Sequence, residues 1–207
     1  MFIFKLFLDY AREEKWLNEM AQKGYSLDKV SIGYFFRSSE PEDARIRIDF
    51  RYFRDHAEYI NYCTMFEDSG WKHIAGSQHT GVQYFKRTND AGNEDIFSDN
   101  ESRAQRYIRA SRIWVYFALF VLFFMVVLIS TGSWDFRALI NPRFFYLTPG
   151  LWEKTGQAFW NAFWFETPFA MFRAGLLYFY PVSILVYLLI AVKTRLLYDR
   201  AKKEPAG

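Results

Sequence analysis

The chain is poor in the residues from which crosslinks and compact catalytic sites are made. Of its 207 residues one is cysteine, Cys63, and three are histidine, His56, His73 and His79. A single thiol excludes an intramolecular disulfide and a paired-thiolate metal site, and Cys63 reads as a small buried hydrophobe. The histidines fit no metal-ligand spacing, so no metal or other cofactor is expected. None of them is paired in sequence with a serine or cysteine nucleophile. There is no glycine-rich phosphate loop and no dinucleotide fingerprint; Gly76-Ser77-Gln78-His79-Thr80-Gly81 reads as a hairpin turn. The opening stretch, Met1 to Asp9, is too short an apolar run for a secretory leader, and no signal peptide is expected. These gaps point away from an enzyme, the alternative being a site assembled only in three dimensions.

Charge is also missing where it matters. Ile113 to Ser130 and Ala174 to Val192 contain no Asp, Glu, Lys, Arg or His. Eighteen or nineteen helical residues cover about 27–29 Å, close to a hydrocarbon thickness of about 30 Å, so both runs can cross a bilayer. The absence of those residue types inside them counts against an ion pathway or proton relay. Pro181 lies within the second run, where it removes a backbone donor and can kink the helix.

Residues 1–100 carry 13 Lys+Arg against 17 Asp+Glu, whereas residues 101–207 carry 13 against 6. The basic surplus belongs to the membrane half, which argues against a nucleic-acid-binding soluble domain. Arg103, Arg106, Arg109 and Arg112 precede the first run, and Lys193, Arg195, Arg200, Lys202 and Lys203 follow the second. Lysine and arginine accumulate on the cytoplasmic side, which predicts cytoplasmic termini in a multi-pass protein of the cytoplasmic membrane and places residues 131–173 on the far face. The four arginines before the first run are candidate ligands of lipid headgroups, with topology-setting charge as the plainer reading.

The soluble half alternates strand and helix signals. Phe2 to Leu8 has the length and apolar continuity of a strand covered on both faces. Asp9 caps a helix whose buried face is Glu13, Trp16, Leu17, Met20 and Ala21, stopped by Gly24. Val30, Ile32, Tyr34 and Phe36 alternate as a strand, with a turn over 38–43. Ile46, Ile48, Phe50 and Tyr52 then face a core, opposite a wet face of Arg45, Arg47, Asp49 and Arg51. Asp55 to Glu58 forms a capping box before a stripe of Tyr59, Tyr62, Cys63 and Phe66, ending at Gly70. Strands at 71–74 and 82–87 complete the set.

An offset of 46 superposes Trp16, Leu17, Met20, Gly24 and Tyr25 on Tyr62, Cys63, Phe66, Gly70 and Trp71, which implies two similar halves. The expected architecture is an α+β ferredoxin-like domain, a split β-α-β plan with both helices on one face of an antiparallel sheet. A two-helix transmembrane hairpin with an aromatic extracytoplasmic loop follows it. The expected boundaries are 1–88 for the ferredoxin-like domain, 89–112 for a linker and basic juxtamembrane helix, 113–130 and 174–192 for the spans, 131–173 for the loop, and 193–207 for a basic tail.

Two surfaces carry candidate binding residues. Arg45, Arg47 and Arg51, with Phe7, Phe35 and Phe85 on neighbouring strands, would combine charge with flat apolar area, the composition of protein-docking surfaces. A merely solvated face is the alternative. Loop aromatics, among them Trp134, suit the membrane interface, and Trp152, Phe159, Trp160, Phe163 and Trp164 fall near one helical face, which predicts a short interfacial helix ended by Thr167-Pro168. It serves either as a groove for an amphipathic ligand or as an anchor.

Phe7-Leu8-Asp9-Tyr10, Glu13 to Ala21, Gly24-Tyr25, Arg47-Ile48-Asp49-Phe50, Gly70-Trp71 and Phe97-Ser98-Asp99 together resemble the bacterial domain-of-unknown-function family 2812 (DUF2812). Its members have a cytoplasmic N-terminal domain before membrane spans and are often encoded near PadR-like transcription regulators. The resemblance implies a signal-transduction or transcription-regulation partnership. The expected function is a membrane-tethered regulatory adaptor that responds to membrane or ligand state, its partners the bilayer and a cytoplasmic protein of the PadR-like kind. The alternatives are a small membrane-surface enzyme or accessory factor acting on lipids, and an accessory subunit of a membrane transport complex. Two spans per chain would make a transport role depend on homo-oligomers.

Overall fold

The computed structural model describes residues 1–88, 95–132 and 137–203; Trp134 and the 89–94 part of the expected linker lie outside the described residues. The chain divides into two compact units, Met1–Arg112 with Ile190–Gly207, and Ile113–Leu189.

The first unit is built from a repeated β-α-β-β motif. The first copy is β1 (Phe2–Ile3), α1 (Tyr10–Gln22), β2 (Tyr25–Val30) and β3 (Tyr34–Ser38); the second is β4 (Ile46–Phe50), α2 (His56–Asp68), β5 (Trp71–Ala75) and β6 (Val82–Arg87). Helix starts and stops recur at the offset of 46. Asp9 and Asp55 are both extended N-caps, the first accepting from the Ala11 N–H and the second from the Glu58 N–H. Each cap satisfies a backbone donor that the first helical turn leaves unpaired. Gly24 and Gly70 end the helices at φ 81° and 83°, a left-handed backbone that a Cβ disfavours.

Strand pairing gives two three-stranded antiparallel sheets, ordered β1-β3-β2 and β4-β6-β5. Each is a split β-α-β in which the third strand of the same copy fills the gap between two parallel ones. The single ferredoxin-like sheet is therefore not formed by this pairing. The free edge of β4 is closed by side chains instead of by a strand, as described below.

Two further strand expectations are corrected. The first strand has two residues instead of seven, because β1 pairs with β3 at Phe2↔Phe35 and Ile3↔Tyr34 and ends there. Phe4 and Leu6 beyond it are 64% and 80% exposed. The Val30 to Phe36 strand is broken by a turn at Ser31–Gly33, closed by the Ser31 N–H donating to the Gly33 carbonyl at 2.9 Å. Gly33 is required there by crowding: a Cβ would meet the Phe2 ring at 2.7 Å and the Ile3 carbonyl at 2.8 Å.

In the second sheet both faces are covered. Ile46 and Ile48 are buried on one, while Tyr62, Phe66, Trp71 and Phe85 form a core cluster on the other. The face expected to be wet lies under α2, and the Tyr62 hydroxyl donates to Asp49 Oδ2 at 2.8 Å. Period-two alternation marks a strand; it does not say whether a helix covers the polar side.

Two helices, α3 (Asn100–Ser130) and α5 (Gly156–Lys203), are long and apolar enough to cross a membrane, and their apolar windows are almost wholly uncovered within the chain. Core helices of soluble proteins bury such windows. At 48 residues α5 is about 72 Å long, more than twice the hydrocarbon thickness. It runs through Pro168 and Pro181 without ending, so the separate interfacial helix stopped at Thr167-Pro168 is replaced by the first turns of α5. Proline inside a long apolar helix forfeits a hydrogen bond without breaking the helix when neighbours hold it. Next to Pro168 the Thr167 hydroxyl donates to the Phe163 carbonyl at 2.7 Å, one residue before the Trp164 carbonyl whose helical donor the proline removes.

Within the second unit, α4 (Arg137–Ile140) and two 3-10 turns at Pro142–Phe145 and Leu151–Glu153 precede α5. Glu166 organises them. It accepts from the Leu147 N–H at 3.2 Å and the Thr148 hydroxyl at 2.7 Å, and pairs with Arg173, which also donates to the Phe145 carbonyl.

Candidate functional site

The densest polar chemistry in the first unit lies where α1 and the beginning of α3 meet the free edge of β4. An edge strand presents unpaired N–H and C=O groups that must be satisfied if buried. Here the partners are side chains. Asn18 Oδ1 accepts from the Ile46 N–H at 2.6 Å and its amide returns a bond to the Ile46 carbonyl at 3.4 Å. Glu14 accepts from the Ile48 N–H at 2.9 Å, and Arg106 donates to the Ile48 carbonyl at 2.6 Å. Arg109 donates to the Phe50 carbonyl and to Asp49. Glu14 and Arg106 also pair with each other. Arg106 is 1% exposed, boxed by the rings of Tyr10, Phe97 and Tyr107 at 5.3–5.5 Å.

Beside this seam Glu13, 3% exposed, accepts from the hydroxyls of Tyr34 and Tyr84, each at 2.7 Å. One carboxyl thus ties a strand of the first sheet to a strand of the second. Burial raises its pKa and outweighs the two tyrosine hydrogen bonds, which act in the opposite sense. The same burial pushes the Tyr34 and Tyr84 hydroxyls up. A carboxyl so enclosed, with both tyrosine hydroxyls committed to it, presents nothing to a ligand.

The sequence-predicted residues are redistributed by this arrangement. Arg106 and Arg109 point into the seam, and Arg103 pairs with Asp95. Arg112 remains exposed. Among the described residues the headgroup expectation thus keeps one of its four arginines, Arg112, without an internal carboxylate, because the other three balance buried or half-buried acids. Arg47 joins Asp95 at 3.2 Å, Arg51 joins Glu58 at 3.2 Å, and Arg45 sits before β4 at φ 45° beside Asp43 at 3.3 Å. Phe85 is fully buried in the second sheet. Phe7 packs on Trp16 at 5.4 Å, while Phe35 is exposed in the first sheet, its ring tilted against that of Phe2 at 5.0 Å. These six do not form one face. The docking expectation requires a single sheet, and the strands lie in two.

In the second unit Trp152, Phe159 and Phe163 gather with Tyr146, whose ring stacks on Phe163 at 5.3 Å and meets Trp152 at 5.2 Å. Trp160 and Trp164 are 51% and 65% exposed. Sequence reasoning placed Glu13 on the buried face of its helix but missed the Glu14–Arg106 and Asp49–Arg109 pairs. An available signal was a doublet of acids at the start of a helix and a lone aspartate in an apolar strand, matched by arginines at a spacing of three on α3. Among the described residues no cluster of three or more His, Cys, Asp or Glu could hold a metal ion.

No curated protein and no solved structure matches the chain. A family described as a protein of unknown function, DUF2812, matches residues 9–119, a span that takes in α1, β4 and the arginines of α3 and so the whole seam. With more than half of its length in that match, the chain belongs to the DUF2812 family.

Proposed function

We propose that the chain is a membrane-tethered regulatory adaptor whose first unit faces the cytosol and binds a protein partner. The observation that carries this reading is the uncovered face of the first sheet. Phe2 and Phe35 pack ring against ring there across paired strands, with Arg37 and Asp28 joined beside them at 2.7 Å and Ile32 77% exposed at the adjoining turn. Exposed aromatic pairs flanked by arginine are what protein interfaces use as anchors. The basic flanks of the two apolar runs support a cytosolic first unit, with Trp160 and Trp164 at the opposite membrane–water boundary. The class of partner in this reading, a PadR-like regulator, rests on the resemblance to a family whose members are often encoded near such regulators.

The test is co-purification of the full chain from bacterial membranes in mild detergent, as wild type and as F35D with F2S. A specific partner recovered with the wild type and lost with the double variant supports the reading. Equal recovery removes this face as the docking surface, and labelling of intact cells that finds the first unit outside removes the adaptor role itself.

A further inference from the structure

The five residues between β1 and the Asp9 cap leave apolar surface in water for no reason internal to the fold. Leu6 is 80% exposed and Phe4 64%, although the neighbouring Phe7 is held against Trp16 and Tyr34. This segment forms one wall of a groove of about 440 Å³ whose other wall is the last part of α5, with Lys193, Leu196 and Arg200, and whose floor includes Arg12 of α1. A second hollow of about 310 Å³ continues it past Asp9, Arg12 and Arg200 to Lys15.

The groove is amphipathic. Arg12, Lys193 and Arg200 face one carboxylate, Asp9, and that carboxylate is already engaged: its Oδ1 accepts from the Ala11 N–H at 3.1 Å and from the Tyr107 hydroxyl at 2.9 Å. Arg12 leans on Oδ2 at 3.4 Å while its own side chain stays 75% exposed. Among the described residues that line the groove, the three cations therefore lack a matching number of anions. Beside them Leu6 and Leu196, the latter 62% exposed, lack apolar cover. A small water-soluble anion would neutralise the cations and leave both leucines wet, and a neutral apolar molecule would do the reverse. The place on the chain is informative too, since Lys193 directly follows the uncharged run 174–192, so the groove opens where that run ends.

We propose that this groove binds an anionic phospholipid, its phosphate held by Arg12, Lys193 and Arg200 and its glycerol and first acyl carbons lying on Leu6 and Leu196. Cations at this depth gain from anionic lipid, and long basic side chains place their charge at the headgroups while their stems lie along apolar surface. The site rests on the reading that α5 crosses the bilayer, but it is independent of the protein partner.

The test uses the full chain in a neutral detergent, titrated with phosphatidylglycerol or with phosphatidylcholine of the same acyl chains, bound lipid being counted by native mass spectrometry. Phosphatidylglycerol is expected to be retained in preference to phosphatidylcholine. The triple variant R12Q/K193Q/R200Q should weaken it by about a hundredfold, at roughly fivefold for each cation lost. L196S leaves every charge in place and changes a residue already facing solvent; it should weaken phosphatidylglycerol severalfold, and R37Q, on the first sheet, should leave it unchanged. Equal retention of the two lipids, or wild-type retention by either groove variant with an unchanged melting temperature, overturns the proposal. Glycerol 3-phosphate held as tightly as the lipid overturns it as well, in favour of a water-soluble phosphate ester. Lipid binding lost while the protein partner is still recovered would separate this site from the adaptor role.

Discussion

Arg106 and Glu14, 92 residues apart in sequence, meet over Ile48 and divide its backbone between them, Glu14 taking the N–H and Arg106 serving the carbonyl. The ion pair therefore also does what a neighbouring strand would do. Replacing an ordinary buried pair by two apolar residues is often neutral. Here the backbone of β4 would be left bare.

R106M is expected to destabilise the chain by about 3–5 kcal/mol, since it strands a buried carboxylate. The double variant E14L/R106L should recover little of that loss, because two buried backbone groups stay unpaired at about 1–3 kcal/mol each. Thermal unfolding of the purified chain in detergent, followed by circular dichroism, measures both. Full recovery in the double variant would mean that the pair matters only as a pair.

Glu13 makes a pH prediction. Its carboxyl is raised above the ordinary 4.5 by burial, so between 4.5 and the raised value the folded chain holds a proton that the unfolded chain releases. The folded state then binds more protons, and its stability falls as pH rises. The contribution is fully present below 4.5 and is lost as pH climbs through the folded value. E13Q should flatten the melting temperature between pH 4.5 and 8. E13L should lower it at every pH by leaving two buried tyrosine hydroxyls unpaired, about 1–3 kcal/mol each.

The two N-caps are equivalent in sequence and unequal in structure. Asp55 serves the Glu58 N–H at 2.8 Å, whereas Asp9 serves the Ala11 N–H and also accepts from the Tyr107 hydroxyl on α3. D55A is expected to cost about 1 kcal/mol and D9A about 2 kcal/mol, the second losing a tertiary hydrogen bond besides the cap. Equal losses in denaturation would show that the Tyr107 bond contributes nothing.

Cys63 is half-buried against the aromatic cluster of α2, and burial pushes its thiol above the ordinary 9.0. Thiolate is the reacting form. At pH 8 a maleimide should label it more slowly than free cysteine, with the rate still climbing beyond pH 9. Labelling at the free rate would place the thiol in solvent.

Local chemistry was the legible part of the sequence. Asp9, Gly24, Asp55 and Gly70 declare helix ends through hydrogen bonding and backbone sterics confined to a few residues, and both helices fall where those residues put them. The recurrence at 46 was visible for the same reason. Partnerships between distant segments were not. Arg103, Arg106 and Arg109 look like a juxtamembrane basic stripe because nothing in their neighbourhood reveals Glu14, Asp49 or Asp95 as counter-ions. The even alternation of 45–52 gave no sign that α2 would lie over its charged side, and Thr167-Pro168 had the form of a helix end in a segment where the helix continues. The candidate docking set failed as a set because it assumed one sheet, while Phe35 survives as an exposed anchor in the first.

The last turns of α5 return to the first unit. Tyr198 and Lys202 both engage Glu101, each at 2.7 Å, and the Ser111 hydroxyl donates to the Ala191 carbonyl at 3.0 Å. A polypeptide ended at Arg112 would keep both β-α-β-β copies yet strip Glu101 of Tyr198 and Lys202, leaving it Gln105, and remove half of the groove. The first unit is thus discontinuous in sequence, and each of the two apolar helices is covalently joined to it, so a pull on either one is delivered directly to the same body.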